Sequence, residues 1–196
     1  MMKKYFQIYK IDDKIFSRIN GRSYRADCPF SVEELCYIPV LHQGFDGQKK
    51  TGEIIVNRQI GEDVCDIFKE LYRVRYPIEK MRLIDEYHAD DNLSMADNNS
   101  SGFNYRTIDG MDILSNHAKG FAIDVNPLYN PYVRVYNHAR QILPEASAKY
   151  ADRTKQHPYY IKKGDVCYNI FTAHGFTWGG EWEHAKDYQH FEKVLG

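Results

Sequence analysis

The clearest periodic pattern in this chain lies between Asn57 and Pro77. Apolar residues recur there at helical spacing, with polar residues between them; they are Ile60, Val64, Ile67, Phe68 and Leu71. This spacing places one apolar stripe along a helix face. Asn57 suits an N-cap, and Tyr76-Pro77 ends the pattern because proline cannot continue a helix. The pattern predicts a core-facing helix over residues 57–76.

Shorter patterns on either side of this helix predict strands and turns. Residues 1–50 mix short apolar runs with turn signals at Asn20-Gly21 and Asp46-Gly47, and Glu53–Val56 reads as a strand. A strand-like stretch at 81–84 leads into an acidic, asparagine-rich segment, residues 88–101. This segment lacks the residue order of an EF-hand, so a solvated loop beside the substrate cleft is favoured over a calcium site.

The second half of the chain predicts a turn, a strand and a short helix. Gly120 lets the backbone reverse between His117 and Asp124, and residues 121–124 alternate as a strand does. Two Asn-Pro pairs then predict an irregular connection from about residue 127 to 164. Asp165 caps a short helix that Gly175 ends, with Val166 among its inward-facing residues. Strands are predicted at 176–178 and 187–192.

Composition narrows the possible functions. The chain has 196 residues, 43% of them hydrophobic, which is enough for one domain with a sizeable core. A formal net charge of −1 gives no general attraction to nucleic acid, and no segment approaches the roughly 20 apolar residues of a membrane span. The N-terminus lacks the apolar core of a signal peptide. The four cysteines form no metal-binding pair; buried thiols are favoured, with a Cys28–Cys36 disulfide as the alternative.

Three potential metal ligands stand out in the second half. His117, Asp124 and His190 offer two imidazoles and one carboxylate, a set that Zn²⁺ prefers, and three protein ligands would leave a fourth position for water or substrate. Asp187, three residues before His190, is the carboxylate expected to project toward the same place and to act as a base. Other residues of the same block compete for these roles: His184 for the third ligand, and Glu181 or Glu183 for the base.

Two sequence blocks resemble the M15 group of zinc peptidases, which includes D-alanyl-D-alanine carboxypeptidases and dipeptidases and the L-alanyl-D-glutamate endopeptidases of phage lysins. The first is S-x-H-x-x-G-x-A-x-D from Ser115, and the second is G-F-x-W-G-G-x-W-x-x-x-x-D-x-x-H-F-E from Gly175. Upstream, S-S-G-F-N-Y-R corresponds to an S-G-x-R-like segment of the family. The resemblance covers roughly residues 78–192.

The resemblance implies a role for each matching residue. His117, Asp124 and His190 would hold zinc, Asp187 would be the general base, and Arg106 would polarise the scissile carbonyl. The base is a glutamate in the dipeptidase branch and an aspartate in the endopeptidase branch, so Asp187 favours the latter. Three further residues are predicted to line the substrate site: Tyr105, Trp182 and Ser115. A packing role remains the alternative for Trp182, and a turn role remains the alternative for Ser115.

These observations together predict an α+β fold in which a small antiparallel sheet carries the zinc site and helices flank it. We expect one zinc peptidase domain over residues 1–196, with residues 1–77 as an N-terminal elaboration that no family motif matches.

The predicted reaction is hydrolysis of a peptide bond in peptidoglycan stem peptides or other peptides containing D-amino acids. The alternatives are a non-catalytic zinc-stabilised module that binds the cell wall, and a zinc peptidase acting on other peptides. This function implies the cell envelope or the exterior, while a cytoplasmic location stays open.

Overall fold

The computed structural model describes residues 4–108, 112–136 and 139–194. Its elements combine short helices with several small sheets, so the predicted α+β class is confirmed. The α-helices are α1 (Asp13–Ile19), α2 (Gly61–Arg73), α3 (Asp91–Ala96) and α4 (Val166–Ala173). The strands are β1 (Leu35–Gln43), β2 (Lys49–Asn57), β3 (Lys80–Met81), β4 (Asn99–Ser100), β5 (Ala122–Asp124), β6 (Tyr132–Tyr136), β7 (Ala139–Leu143), β8 (Thr177–Trp178), β9 (Ala185–Asp187) and β10 (His190–Glu192).

The N-terminal half of the fold contains a long hairpin of strands β1 and β2. The two strands pair antiparallel from Leu35–Asn57 to Gln43–Lys49, and the predicted Asp46-Gly47 turn joins them. Alternate residues of β1 face the main core, because Cys36, Ile38 and Val40 are all fully buried. The predicted strand at residues 53–56 is therefore the end of a nine-residue strand.

The predicted amphipathic helix packs against this hairpin. Asn57 accepts a hydrogen bond from Gln59 N at the start of a 3₁₀ turn, and the α-helix proper runs from Gly61 to Arg73. All five predicted apolar positions are buried: Ile60, Val64, Ile67, Phe68 and Leu71. The helix ends three residues earlier than the sequence pattern indicates, since the backbone turns at Arg75 with a φ of 58°.

One hydrophobic cluster joins the two halves of the chain. It contains residues of β1, β2 and α2 together with Ile123, Phe171 and Phe191 from β5, α4 and β10. A second cluster forms where α1 meets Leu35, Ile55 and Phe103. Strands β1 and β2 and helix α2 thus share a core with the later strands. The assignment of residues 1–77 as an elaboration of a single domain stays a prediction.

Several sequence expectations are wrong. The segment predicted as irregular, 127–164, contains the β6–β7 hairpin, and the predicted solvated loop at 88–101 contains α3 and buried β4. The predicted last strand divides into β9 and β10, which belong to different sheets. Asp165 caps α4 as expected, but Val166 is exposed. All four cysteines are free thiols, so Cys28 and Cys36 form no disulfide.

Candidate metal centre and its cleft

Strand pairing brings two of the predicted ligands together. Strands β5, β10 and β8 form a small antiparallel sheet in which His190 lies directly opposite Asp124. Residues opposite each other in antiparallel strands project from the same face. The neighbouring pair, Ile123 and Phe191, projects from the other face and is fully buried in the core. The small antiparallel sheet predicted from the sequence therefore carries the imidazole and the carboxylate.

The third predicted ligand comes from the turn before β5. His117 starts a 3₁₀ turn that ends at Gly120, whose φ of 76° is the left-handed conformation that glycine adopts readily. A Cβ on Gly120 would lie 2.5 Å from the backbone N of Asn57, so a side chain would not fit there. Ser115 Oγ accepts a hydrogen bond from the backbone N–H of His117 at 3.2 Å. This turn directs the imidazole of His117 toward the sheet face.

The three ligand atoms form a nearly equilateral triangle. His117 Nε2 lies 3.2 Å from His190 Nδ1 and 3.3 Å from Asp124 Oδ1, and the two latter atoms are 3.2 Å apart. A tetrahedral zinc with ligands at about 2.0–2.1 Å requires neighbouring ligand atoms about 3.3–3.4 Å apart. All three side chains are buried. The distances and the donor set therefore fit one face of a zinc tetrahedron.

Both imidazoles are also held on their outer side. His117 Nδ1 lies 2.7 Å from Gly102 O, and His190 Nε2 lies 3.0 Å from Glu192 Oε2. Asn116 Nδ2 donates to the same Glu192 oxygen at 2.7 Å. Histidine ligands in metal sites commonly donate their second ring N–H to a carbonyl or carboxylate. Both histidines thus have the outer contacts that metal ligands have.

The charges of the cluster favour a cation at its centre. Burial alone would raise the pKa of Asp124, but His117 and His190 hold it well below its usual range. Burial would lower the pKa of His190, yet the carboxylates of Asp124, Glu192 and Asp187 raise it to about 10. Among the described parts of the chain, these three residues are the only group of histidine, cysteine or carboxylate side chains whose ligand atoms converge in this way. A divalent cation would satisfy this concentration of negative charge.

Asp187 lies beside the cluster with one carboxylate oxygen that has no partner. Its Oδ1 is inaccessible to solvent and forms no hydrogen bond. Burial raises the pKa of Asp187 to about 6, with His190 opposing the increase and Asp124 adding to it. A buried polar atom without a partner is rare, and here it lines the same cleft as the ligands.

A cavity of about 390 Å³ opens over the ligand triangle. Arg106, Ser115 and Trp182 line it, together with the exposed apolar side chains of Ile108 and Ile113. Arg106 forms an ion pair with Asp91 of α3. The ring of Trp182 lies 5.2 Å from that of His190, centre to centre. The structure thus brings Arg106, Ser115 and Trp182 to the cleft.

The remaining candidates lie elsewhere. Tyr105 is not among the residues lining this cavity: its hydroxyl donates to Asp27 O at 3.0 Å, and its ring packs near Arg25. His184 and Glu183 are exposed, and Glu181 forms an ion pair with Lys163. None of these three is part of the converging ligand group. The structure therefore favours His190 and Asp187 over their competitors in the same sequence block.

Sequence reasoning missed Glu192 and Asn116. Glu192 follows His190 by two residues on a strand, and residues two apart on a strand share a face. The alternation of a strand therefore could have predicted that Glu192 lies on the same face as His190. The contact from Asn116 depends on how the turn meets β10, which no local pattern reveals.

Comparison with known proteins agrees with this geometry. Residues 109–193 match the M15 peptidase family model described as D-alanyl-D-alanine carboxypeptidase. The match includes His117, Asp124, Asp187 and His190, while Arg106 and the N-terminal half lie outside it. No curated protein and no solved structure matches the chain. The resemblance to M15 peptidases is confirmed.

Proposed function

We propose that this chain, an M15 peptidase by the match over residues 109–193, is a zinc-dependent hydrolase that cleaves a peptide bond in bacterial peptidoglycan stem peptides. The observation that carries the proposal is the ligand triangle with the partnerless oxygen of Asp187 beside it. His117, Asp124 and His190 would hold the metal. The fourth position of a tetrahedral site would face the cleft, as a catalytic site requires.

Each residue of the cleft has a defined part in this reaction. A bound zinc ion would supply Lewis acidity and would lower the pKa of a coordinated water to about 7. Asp187 Oδ1 takes the proton of the attacking water and delivers it to the leaving amine, a role suited to a carboxylate oxygen that no other group occupies. Arg106 donates to the carbonyl oxygen as negative charge develops there.

The charges around the cleft support an anionic peptide as substrate. Among the described residues that line it, three basic side chains balance three carboxylates: Arg106, Lys119 and Arg134 against Asp124, Asp187 and Glu192. Asp91, outside the lining, pairs with Arg106 and adds one negative charge. A divalent cation would make this balance positive. Stem peptides carry free carboxylates, so the cleft would attract them over neutral peptides. We place the activity at the cell envelope or outside the cell, where this substrate occurs.

Digestion of purified muropeptides, followed by mass spectrometry, tests the proposal. We expect zinc-dependent release of a fragment: a single terminal D-alanine for a carboxypeptidase, or cleavage within the stem for an endopeptidase. The matched control is Asp187→Asn, which keeps the shape of the side chain and removes its basicity.

Three results would contradict the proposed substrate or activity. Cleavage of ordinary L-peptides with muropeptides left intact would indicate a different peptidase. Zinc-dependent binding to sacculi without any released fragment would indicate a binding module. Equal turnover by wild type and Asp187→Asn would contradict the proposed role of Asp187 as the general base.

A further inference from the structure

Of the two imidazole ligands, His190 is the one whose outer ring nitrogen contacts a side chain, Glu192, instead of the backbone. His117 is oriented by Gly102 O, which is part of the main chain. His190 depends on a side chain, because its Nε2 lies 3.0 Å from Glu192 Oε2. The side chain of Glu192 is only 17% exposed and that of His190 only 7%. A hydrogen bond at such a buried position is strengthened by the low local dielectric.

The geometry also requires one tautomer of His190. Its Nδ1 faces His117 Nε2 and Asp124 Oδ1, so this nitrogen must present a lone pair to a cation. The ring proton of the neutral imidazole then sits on Nε2, where Glu192 is positioned to accept it. Without an acceptor there, the proton could move to Nδ1 and block the ligand atom.

Asn116 holds the carboxylate in this position. Its Nδ2 donates to Glu192 Oε2 at 2.7 Å, the same oxygen that contacts His190. Its own backbone is anchored, because Asn116 O accepts a hydrogen bond from Phe121 N at 2.9 Å. Asn116 directly precedes His117, so one turn presents the first ligand and also fixes the carboxylate that orients the third.

We propose that Glu192, held by Asn116, is a positioning residue that fixes the ring orientation and tautomer of His190 and so sets the affinity of the metal site. This inference rests on the proposed function only in assuming that the ligand triangle binds zinc. The carboxylate acts through His190 and does not touch the substrate.

Zinc dissociation constants, measured by competition with a chromophoric chelator, test this role. Glu192→Ala is expected to weaken zinc binding by about 10–100-fold. Glu192→Gln retains an acceptor oxygen without the charge, and we expect a smaller loss. The exposed Glu183→Ala is the matched control and is expected to bind zinc as wild type does.

A double-mutant cycle tests the part played by Asn116. Asn116→Ala alone should weaken zinc binding less than Glu192→Ala does. The double variant should be no weaker than Glu192→Ala, because Asn116 acts only through the carboxylate. Long-range ¹H–¹⁵N NMR of the zinc form should show the proton of His190 on Nε2 in wild type.

Two outcomes would overturn the inference: a Glu192→Ala protein that binds zinc within twofold of wild type, or a wild type that binds no zinc. If Glu192→Ala does not fold, Glu192→Met, which keeps the length of the side chain but removes the acceptor, decides by the same criterion. Failure of the proposed function is a separate result, since a wild type that binds zinc tightly but cleaves no muropeptide would leave the affinity comparison intact.

Discussion

Asp187 and Glu192 are both carboxylates beside His190, but their surroundings assign them different chemistry. Glu192 is satisfied by two hydrogen bonds, from Asn116 and from His190. Asp187 leaves Oδ1 without a partner and lines the cleft. A general base needs a lone pair that no other group occupies, whereas an orienting group needs a fixed partner. An oxygen without a partner is what the proposed role of Asp187 as the base requires.

Replacing Asp187 should separate catalysis from metal binding. We expect Asp187→Ala to retain about one zinc ion per chain and to lower kcat by about 10²–10⁴-fold, because proton transfer is lost while the three ligands stay in place. Elemental analysis and muropeptide turnover check the two parts. Glu183→Ala, which removes an exposed carboxylate of the same segment, should change neither value.

Arg106 contributes a cation that Asp91 holds in place. Asp91 forms an ion pair with Arg106 and also accepts a hydrogen bond from Asn104 Nδ2 at 2.9 Å. We expect Arg106→Ala to lower kcat by about 10²–10³-fold with little change in zinc affinity, since the guanidinium acts on the developing oxyanion. An Arg106→Ala enzyme whose KM rises while kcat stays constant would instead indicate a role in ground-state binding.

The sheet that carries Asp124 and His190 consists of strands only two or three residues long, and Gly179, just outside this sheet, makes a close contact with it. Gly179 lies against β9, because a Cβ there would be 2.7 Å from Asp187 O and 2.8 Å from Asp187 Cβ. The same Cβ would be 3.3 Å from that of His190. A side chain at Gly179 would therefore displace Asp187 and crowd His190.

Gly179→Ala should disturb the site as well as the fold. We expect a loss of about 1–3 kcal/mol in the free energy of unfolding from overpacking, together with weaker zinc binding and slower hydrolysis. Gly164→Ala is the comparison, because its φ of 81° is unfavourable for alanine while no atom lies within 4 Å of the new Cβ. That variant should lose about 1 kcal/mol through the backbone alone and keep wild-type zinc affinity. Equal zinc affinity in both variants would contradict the proposed contact.

Local patterns predicted the parts of the fold that depend on local physics. The stripe of α2, the cap at Asp165 and the turn at Gly120 all follow from spacing or residue type, and the structure has them. The β6–β7 hairpin was not predicted because β7 is mostly exposed and its sequence has no alternation of apolar and polar residues. Residues 187–192 were read as one strand because sequence cannot show that β9 pairs with β6 while β10 pairs with β5.

At the candidate site, too, the sequence predicted what depends on residue type and order but not what depends on contacts between distant segments. Residue types and motif order were enough to select His117, Asp124 and His190, and their ligand atoms converge. The orientation of Tyr105 toward Asp27 and the hydrogen bond from Asn116 depend on contacts between distant segments. Those contacts are set by packing, which a single sequence does not report.

Helix α1 is joined to the β1–β2 hairpin by a half-buried ion pair between Arg18 and Glu53. Glu53 accepts hydrogen bonds from Arg18 Nη1 at 2.8 Å and from Tyr37 Oη at 2.7 Å, which links α1 to both long strands. Burial by itself would raise the pKa of Glu53, but these two donors outweigh it and lower the pKa. The folded protein therefore binds a proton at Glu53 less readily than the unfolded chain does.

This difference predicts how stability depends on pH. With a folded-state pKa below the unfolded value of about 4.3, the contribution of Glu53 is complete above that pH and is lost as the pH falls through the folded pKa. We expect Glu53→Gln to cost about 2 kcal/mol at pH 7 and to flatten the acid side of the stability curve. Urea unfolding between pH 3 and 7 measures both effects. The exposed Glu70→Gln should follow the wild-type curve, and an unchanged acid slope in Glu53→Gln would contradict the assignment.

At the scale of the whole molecule, the turn before β5 and the paired strands β5 and β10 bring His117, Asp124 and His190 to one point. Anomalous X-ray diffraction at the zinc absorption edge, on crystals of the zinc-loaded protein, shows whether a metal lies there. We predict a single strong peak at about 2.0–2.1 Å from His117 Nε2, Asp124 Oδ1 and His190 Nδ1. A zinc peak on other residues, or these three side chains without any peak, would contradict the proposal that this protein is a zinc peptidase.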